Sequence, residues 1–164
     1  MFYTSSHLNL PALPLADMAV AVESFILGIE PERFFSSTAG SLRSDGCLIL
    51  IDDFMSERAA TTLLHSHQKR CVAEFRDRWY ANSLMTSKQA EGLARKAVLR
   101  LCGERNLTPD LHTMGLMDRI VAVTVFLGQL LPLHAAFGGT YWNSLVGGNA
   151  LQFGLDQGIF AINF

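Results

Sequence analysis

The stretch Leu42–Phe54 constrains the fold more than any other part of the chain. It opens with Arg43–Gly46, where Asp and Gly tolerate the backbone angles of a tight turn. Cys47–Ile51 then forms an unbroken apolar run of strand length. A strand that is apolar on both faces is typical of a parallel sheet covered by helices. The stretch therefore predicts a turn followed by a buried strand in an α/β fold.

Two carboxylates, Asp52 and Asp53, follow this apolar run directly. In open α/β sheets, ligands bind just outside the carboxyl ends of the strands. A carboxylate in this position can instead cap the helix that follows. The sequence therefore leaves two interpretations open for the pair, a ligand site or a helix cap.

One strand and one helix are predicted ahead of this stretch. Asp17–Ser24 is short, apolar at its centre, and ends in Glu23 and Ser24. Pro31–Ser41 begins with a proline suited to the first turn of a helix and carries apolar side chains at helical spacing. Strand, helix and strand in this order predict a right-handed βαβ unit. Residues 1–16 contain two prolines and are predicted to be irregular.

Helices and strands are also predicted towards the C-terminus. Helical patterns cover Ser56–Tyr80, Thr86–Ala97, Asp118–Leu131 and Asn149–Gln157, and strand patterns cover Val98–Leu107 and Gly158–Phe164. Two glycine pairs, at 138–139 and 147–148, flank an aromatic segment. Since glycine permits sharp bends, these pairs predict bends and a lid that moves.

The order of these elements resembles the second half of a class I S-adenosylmethionine-dependent methyltransferase. That family has an L-x-P-G-G turn where this chain has L-R-S-D-G at Leu42–Gly46. The pattern T-x-x-x-x-E-x-L-A-x-x-A-x-L-R-L from Thr86 is similar to the approach to the family's sixth strand, although Val98 replaces the usual glycine. The resemblance runs from about Leu13 to the C-terminus. It implies one domain over residues 1–164, with a partial Rossmann-like sheet whose strands correspond to the family's fourth to seventh.

The family's glycine-rich cofactor turn is absent from this sequence. The resemblance therefore implies the C-terminal half to two-thirds of the fold, without the first three strands. The strand at 17–24 would then have an open edge, which is a pairing hazard. A second copy in a homodimer, a partner chain that supplies the missing strands, or a fold of residues 1–16 over the edge would each close it.

The resemblance also implies a cofactor, S-adenosylmethionine, and a set of site residues. Cofactor contacts fall on Glu23, Ser24 and Asp52, candidate catalytic residues are Asp53 and, as the base, His65 or His67, and candidate walls of a substrate pocket are Trp79, Tyr80, Tyr141 and Trp142. Each has a structural alternative. Glu23 can sit at a helix start, the histidines can lie on the surface or pack between helices, and the aromatic residues can belong to the core.

The function implied is methyl transfer to a small-molecule acceptor, by a split, truncated or dimer-completed enzyme. The acceptor is predicted to be apolar because no Asp, Glu, Lys or Arg lies between positions 120 and 155. The alternative is a catalytically inactive methyltransferase-like subunit that acts as a binding or scaffold partner. The absence of the glycine-rich turn favours that alternative, whereas the acidic strand ends and the histidines favour an enzyme.

Composition argues against several other classes of function. A net charge of −2 does not favour a nucleic-acid partner. The three cysteines are scattered, and His65 and His67 are two residues apart, so no metal site is predicted. Free thiols fit a reducing cytoplasm. The apolar run from Ile120 is short for a membrane span of roughly 20 residues, and it favours a buried helix or pocket wall instead.

Overall fold

The computed structural model describes residues 14–111, 115–130 and 139–164. Its strands are β1 (Ala16–Val22), β2 (Leu42–Met55) and β3 (Phe160–Asn163). Its α-helices are α1 (Pro31–Ser41), α2 (Glu57–Thr61), α3 (Ser66–Trp79), α4 (Ser87–Lys96), α5 (Leu116–Leu130) and α6 (Gly139–Asp156). A 3-10 turn covers Thr108–Asp110.

The three strands form one mixed sheet in the order β1-β2-β3. β1 and β2 are parallel, with Val22 opposite Ile51, and α1 makes the crossover between them. β2 and β3 are antiparallel, with Asp53 opposite Ile162. The predicted α/β class and the parallel pair are therefore confirmed.

The limits of β2 differ from the prediction. The predicted turn at 43–46 is wrong, because these residues lie inside the strand, at an irregularity of register between Ala16 and Met18 of β1. At its other end β2 continues past the apolar run, through Asp52 and Asp53, to Met55. The reason is that β3 pairs with this last part of β2, beyond the point where β1 ends.

The predicted strand at 98–107 is largely wrong. Only Asn106 forms a bridge, to Asn163, although the N–H of Arg105 donates to Phe164 and that of Leu107 to Ile162. The segment begins with Val98 in a left-handed conformation (φ 64°) and 93% exposed. Leu99 packs against the cluster of Phe25, Phe34 and Phe35, whereas Leu101 is half exposed, and only the end of the segment pairs with β3.

The helices agree with the predictions except at two places. The predicted helix at 56–80 is divided into α2 and α3, and Ser56 caps α2 by accepting a hydrogen bond from Ala59 N–H. The predicted helix at 149–157 is only the second half of α6, and the predicted bend at 147–148 is wrong because both glycines lie inside that helix. A Cβ at Gly147 would lie 3.1 Å from Trp79, so this glycine permits close packing of α6 on α3. Gly138 lies outside the described residues.

The core occupies both faces of the sheet, because alternate side chains of β2 point to opposite sides. On one face, Leu48, Leu50 and Phe54 belong to a cluster with Phe25 and with residues of α1 and α4. On the other, Met55 and residues of β3 join a cluster from α3 and α6 that is centred on buried Phe75. A third cluster, around Val125 and Trp142, joins α5 to α6.

None of the helices in the described ranges has both the length and the hydropathy that a membrane crossing requires. The organisation of residues 1–164 as one domain stays a prediction.

Candidate functional site

The carboxyl end of β1 brings together the residues predicted at the two strand ends. Glu23 N–H donates to the carbonyl of Ile51 at 2.9 Å, which sets Glu23 beside Asp52 and Asp53. Glu23 is exposed and has a left-handed backbone (φ 47°), an uncommon conformation for a residue with a Cβ. The chain turns sharply here from β1 into the loop that contains Ser24.

Asp52 holds this loop in place. Its Oδ2 accepts hydrogen bonds from the N–H groups of Phe25 at 2.9 Å and Ile26 at 3.2 Å, and its Oδ1 accepts one from Asp53 N–H at 2.9 Å. The side chain is 1% exposed, and burial raises the pKa of Asp52 while these backbone hydrogen bonds lower it. Both oxygens are therefore engaged by backbone amides, and a direct contact of Asp52 with a cofactor stays a prediction.

Asp53 has a different environment. It is 7% exposed, and no hydrogen bond or ion pair to its carboxylate is seen within the described residues. Burial raises the pKa of Asp53 to about 7, and repulsion from Asp52 and Glu23 adds to the effect. A carboxyl with this pKa can both give and take a proton near neutral pH.

The two candidate histidines both lie near the start of α3 but line different cavities. His65 precedes α3 and is exposed; its backbone N–H donates to Gln68 Oε1 at 3.0 Å. His67 is exposed on α3, with its ring 4.7 Å from that of Phe153. His65 lines a cavity of about 310 Å³ and His67 one of about 730 Å³, and Asp53 lines neither. The catalytic role of each histidine stays a prediction.

The four candidate pocket residues are not brought together. Trp79 lines the 730 Å³ cavity, together with residues of α3, α5 and α6. Tyr80 ends α3 in a left-handed conformation and is 61% exposed. Tyr141 is 58% exposed on α6, and Trp142 is buried against α5. Only Trp79 lines either of the two cavities, and the wall roles of the other three stay predictions.

Some contributors to this site were missed by sequence analysis. The backbone amides of Phe25 and Ile26 hold Asp52, and no side-chain pattern indicates them. The ring of Phe25, in this loop, packs with those of Phe34 and Phe35 from α1, and the ring centroids lie 5.1–5.3 Å apart. The density of Phe in this part of the chain was the available signal. No group of three His, Cys, Asp or Glu side chains able to hold a metal occurs in the described parts of the chain.

Comparison with solved structures shows what this arrangement is similar to. The cyclopropane synthase MmaA2 from Mycobacterium tuberculosis superposes with a TM-score of 0.64 and 15% identity, over 92% of this chain and 54% of that one. The O-methyltransferase of a trans-AT PKS multienzyme from Brevibacillus brevis, in complex with S-adenosyl-L-homocysteine, gives a TM-score of 0.65 and 14% identity, over 98% and 46%. The [4+2]-cyclase SpnF gives 0.60 and 14%, over 99% and 54%.

The chain has a class I methyltransferase-like fold, over part of that architecture. It spans about half the length of the structures that it matches. No protein-family model and no curated protein matches the sequence. At this level of identity the likeness establishes the fold alone, and these three proteins differ in the reactions that their descriptions give.

Proposed function

We propose that this chain takes part in S-adenosylmethionine-dependent methyl transfer to a small, apolar acceptor. The observation that carries the proposal is Asp53, a buried carboxyl with a pKa of about 7 at the carboxyl end of the parallel pair in a methyltransferase-like fold. Ligands of open α/β sheets bind at this end. The apolar acceptor is proposed from the sequence alone, in which positions 120 to 155 hold no charged side chain.

The charge of the site suits this cofactor. Glu23, Asp52 and Asp53 lie close enough for the first two to perturb the third. S-adenosylmethionine would supply an electrophilic methyl group on a positively charged sulfonium, and it also carries an amino group. Three neighbouring carboxylates favour such a cation. Exposed Glu23 and half-buried Ser24 are the side chains available to hold it.

Asp53 serves as the base in this proposal. It takes the proton that the acceptor's O–H, N–H or activated C–H must lose as the methyl group is transferred. Because its pKa is near 7, about half of Asp53 is ionised and ready to accept at neutral pH. Asp52 is a positioning residue, since it accepts hydrogen bonds from Phe25 and Ile26 N–H and so holds the loop that contains Ser24.

The sheet needs a further strand for this site to be enclosed. Within the described residues β1 pairs only with β2. Met18, Val20 and Val22 on one face of β1 are 54–59% exposed. We propose that a strand from a second copy or from a partner chain pairs with β1. The three cysteines are free thiols, which supports the cytoplasm as the location.

The alternative function is a catalytically inactive subunit that acts as a binding or scaffold partner. Its support is that both Asp52 oxygens are engaged by backbone N–H groups and that neither His65 nor His67 shares a cavity with Asp53. An inactive chain retains the fold without binding the cofactor.

Calorimetric titration of S-adenosylmethionine into the 164-residue chain distinguishes the two, with the mass in solution recorded on the same sample. We expect micromolar affinity, and about tenfold weaker binding by Glu23→Gln, because a hydrogen bond to a charged group is worth roughly 1.5–3 kcal/mol. Glu32→Gln is the matched control, since Glu32 is an exposed carboxylate in the first turn of α1. No heat at millimolar cofactor would contradict cofactor binding by this chain alone, and would leave either an enzyme that a separate partner chain completes or an inactive subunit.

A further inference from the structure

A second place in the molecule has the form of a ligand site, and it is separate from the carboxylates. This cavity of about 730 Å³ lies between α3, α5 and α6. Small-molecule sites in proteins usually measure roughly 300–1,000 Å³. None of Glu23, Ser24, Asp52 and Asp53 lines it. Binding of a ligand in this cavity therefore does not depend on methyl transfer at the sheet edge.

Each of the three helices contributes apolar or aromatic side chains to the wall of the cavity. Trp79 comes from α3, Val125 and Phe126 from α5, and Phe153 from α6. Gly148 of α6 lies beside Trp79, where a Cβ would be in van der Waals contact with the indole ring at 3.4 Å. Such walls favour a flat or extended apolar body.

The charged groups of the lining disfavour an anion. They are one cation, Arg70, and two carboxylates, Glu74 and Asp118. Arg70 is already engaged, since its Nε donates to Glu74 Oε1 and its Nη2 to Gln129 Oε1, both at 2.9 Å. No free positive charge therefore remains in the described lining for a carboxylate or phosphate ligand.

One polar atom of the lining has no partner among the described residues. Gln152 lies on α6, and its Oε1 is buried from solvent without a hydrogen bond from that part of the chain. A buried acceptor left unpaired costs roughly 1–3 kcal/mol. The terminal torsion of a glutamine side chain is soft, so the oxygen can turn towards a donor in the cavity.

We infer that this cavity binds an uncharged, largely apolar molecule that carries a hydroxyl or N–H donor. The apolar body packs on Trp79, Val125, Phe126 and Phe153, and the donor reaches Gln152 Oε1. With one cation and two carboxylates, the lining has a net negative charge, which disfavours an anion of the same shape.

Three naphthalene probes test this inference by calorimetry on the whole chain. 1-Naphthol has a donor, 1-methoxynaphthalene has none, and 1-naphthoate is an anion. We expect 1-naphthol to bind about tenfold more tightly than the ether, as one satisfied acceptor predicts. The naphthoate should bind more weakly than either.

Two variants separate the donor contact from the fit of the cavity. Gln152→Leu should remove the preference for 1-naphthol over the ether, whereas a preference caused by size alone would remain. Ala122→Trp, which fills the cavity, should abolish binding of both probes. Gln157→Leu is the control outside the lining and should bind as the wild type does. Thermal melting checks that each variant is folded.

The inference is overturned if wild-type chain binds no 1-naphthol at millimolar concentration, or binds the naphthol and the ether equally. It is also overturned if Gln152→Leu keeps the preference. None of these outcomes bears on S-adenosylmethionine binding at the sheet edge, so the two proposals fail independently.

Discussion

Two adjacent aspartates of β2 have opposite environments because successive strand side chains point to opposite faces. Asp52 is buried among backbone N–H groups that donate to it. Asp53 is buried next to two other carboxylates. The same side chain is therefore a structural anchor at one position and a titratable group at the next.

The titration of Asp53 makes stability depend on pH. An aspartate in the unfolded chain loses its proton near pH 4, whereas Asp53 keeps it in the folded state until a pH of about 7. The folded state binds more protons in this window, so stability falls as pH rises from about 4 to 7. We expect a loss on the order of 4 kcal/mol, and Asp53→Asn should remove most of it.

Urea unfolding at several pH values between about 5 and 8 measures this effect. Asp53→Asn should be the more stable protein at the alkaline end. Asp17→Asn, on an exposed carboxylate of β1, serves as the control and should keep the wild-type slope. A wild-type midpoint that is constant or rises over this range would contradict the raised pKa.

Asp52→Asn should have the opposite effect at neutral pH. The amide keeps one acceptor oxygen and puts an NH₂ group against backbone donors that now face the two carboxylate oxygens. Leaving buried N–H groups without an acceptor should cost about 1–3 kcal/mol. The denaturant midpoint of Asp52→Asn should therefore be lower than that of the wild type. Equal midpoints would show that other contacts hold the loop.

At the scale of elements, α6 depends on small residues where it meets other parts of the fold. A Cβ at Gly154 would lie 2.2 Å from the Phe160 ring, at the junction of α6 and β3. Glycine is accepted inside this helix, despite its cost of about 1 kcal/mol, because the strand approaches so closely. Gly154 therefore lies inside α6 without ending it, although glycine disfavours a helix.

Gly154→Ala should destabilise the protein by about 1–3 kcal/mol, since the Phe160 ring must move out of the core to admit the methyl group. Gly92→Ala is the matched control, because Gly92 lies inside α4 with nothing within 4 Å of its would-be Cβ. That variant should gain roughly 0.5–1 kcal/mol. Unfolding midpoints measured side by side test both signs, and equal effects of the two changes would contradict the packing argument.

At the scale of the whole molecule, the exposed apolar face of β1 is the feature that favours binding of another chain. Met18, Val20 and Val22 lie on the same face as Cys47, Ile49 and Ile51, their partners in β2. An exposed apolar edge strand favours pairing with another chain.

If a second copy pairs with β1, Val20→Lys should shift the chain to a monomer, because a buried lysine without a partner is costly at an interface. Leu63→Lys is the control, since Leu63 is 83% exposed in the loop before α3, away from the sheet edge. Sedimentation over a range of concentrations measures the effect. A monomeric wild type would exclude the homodimer and leave a separate partner chain as the proposal.

Parts of this architecture could be predicted because local sequence determines them. Pro31 starts α1, and the Thr86–Gln89 capping box starts α4. The apolar run of β2 predicted a strand, although residues 47–51 are exposed or only half-buried, and the resemblance to methyltransferases placed Glu23 and Asp52 at the same edge. These features depend on contacts within one element or between neighbours in the chain.

The tertiary structure decided the rest, because it depends on pairings between distant segments. Whether β2 ends at Ile51 or at Met55 is set by β3, which lies far along the chain at Phe160–Asn163. Asp53 lies opposite Ile162 in that paired part of β2 and is buried, and the loop after β1 engages Asp52, so no local pattern distinguishes the anchor from the titratable group. The sequence by itself determined the class of fold and the edge where carboxylates gather; the long-range packing determined which of them is free to exchange a proton.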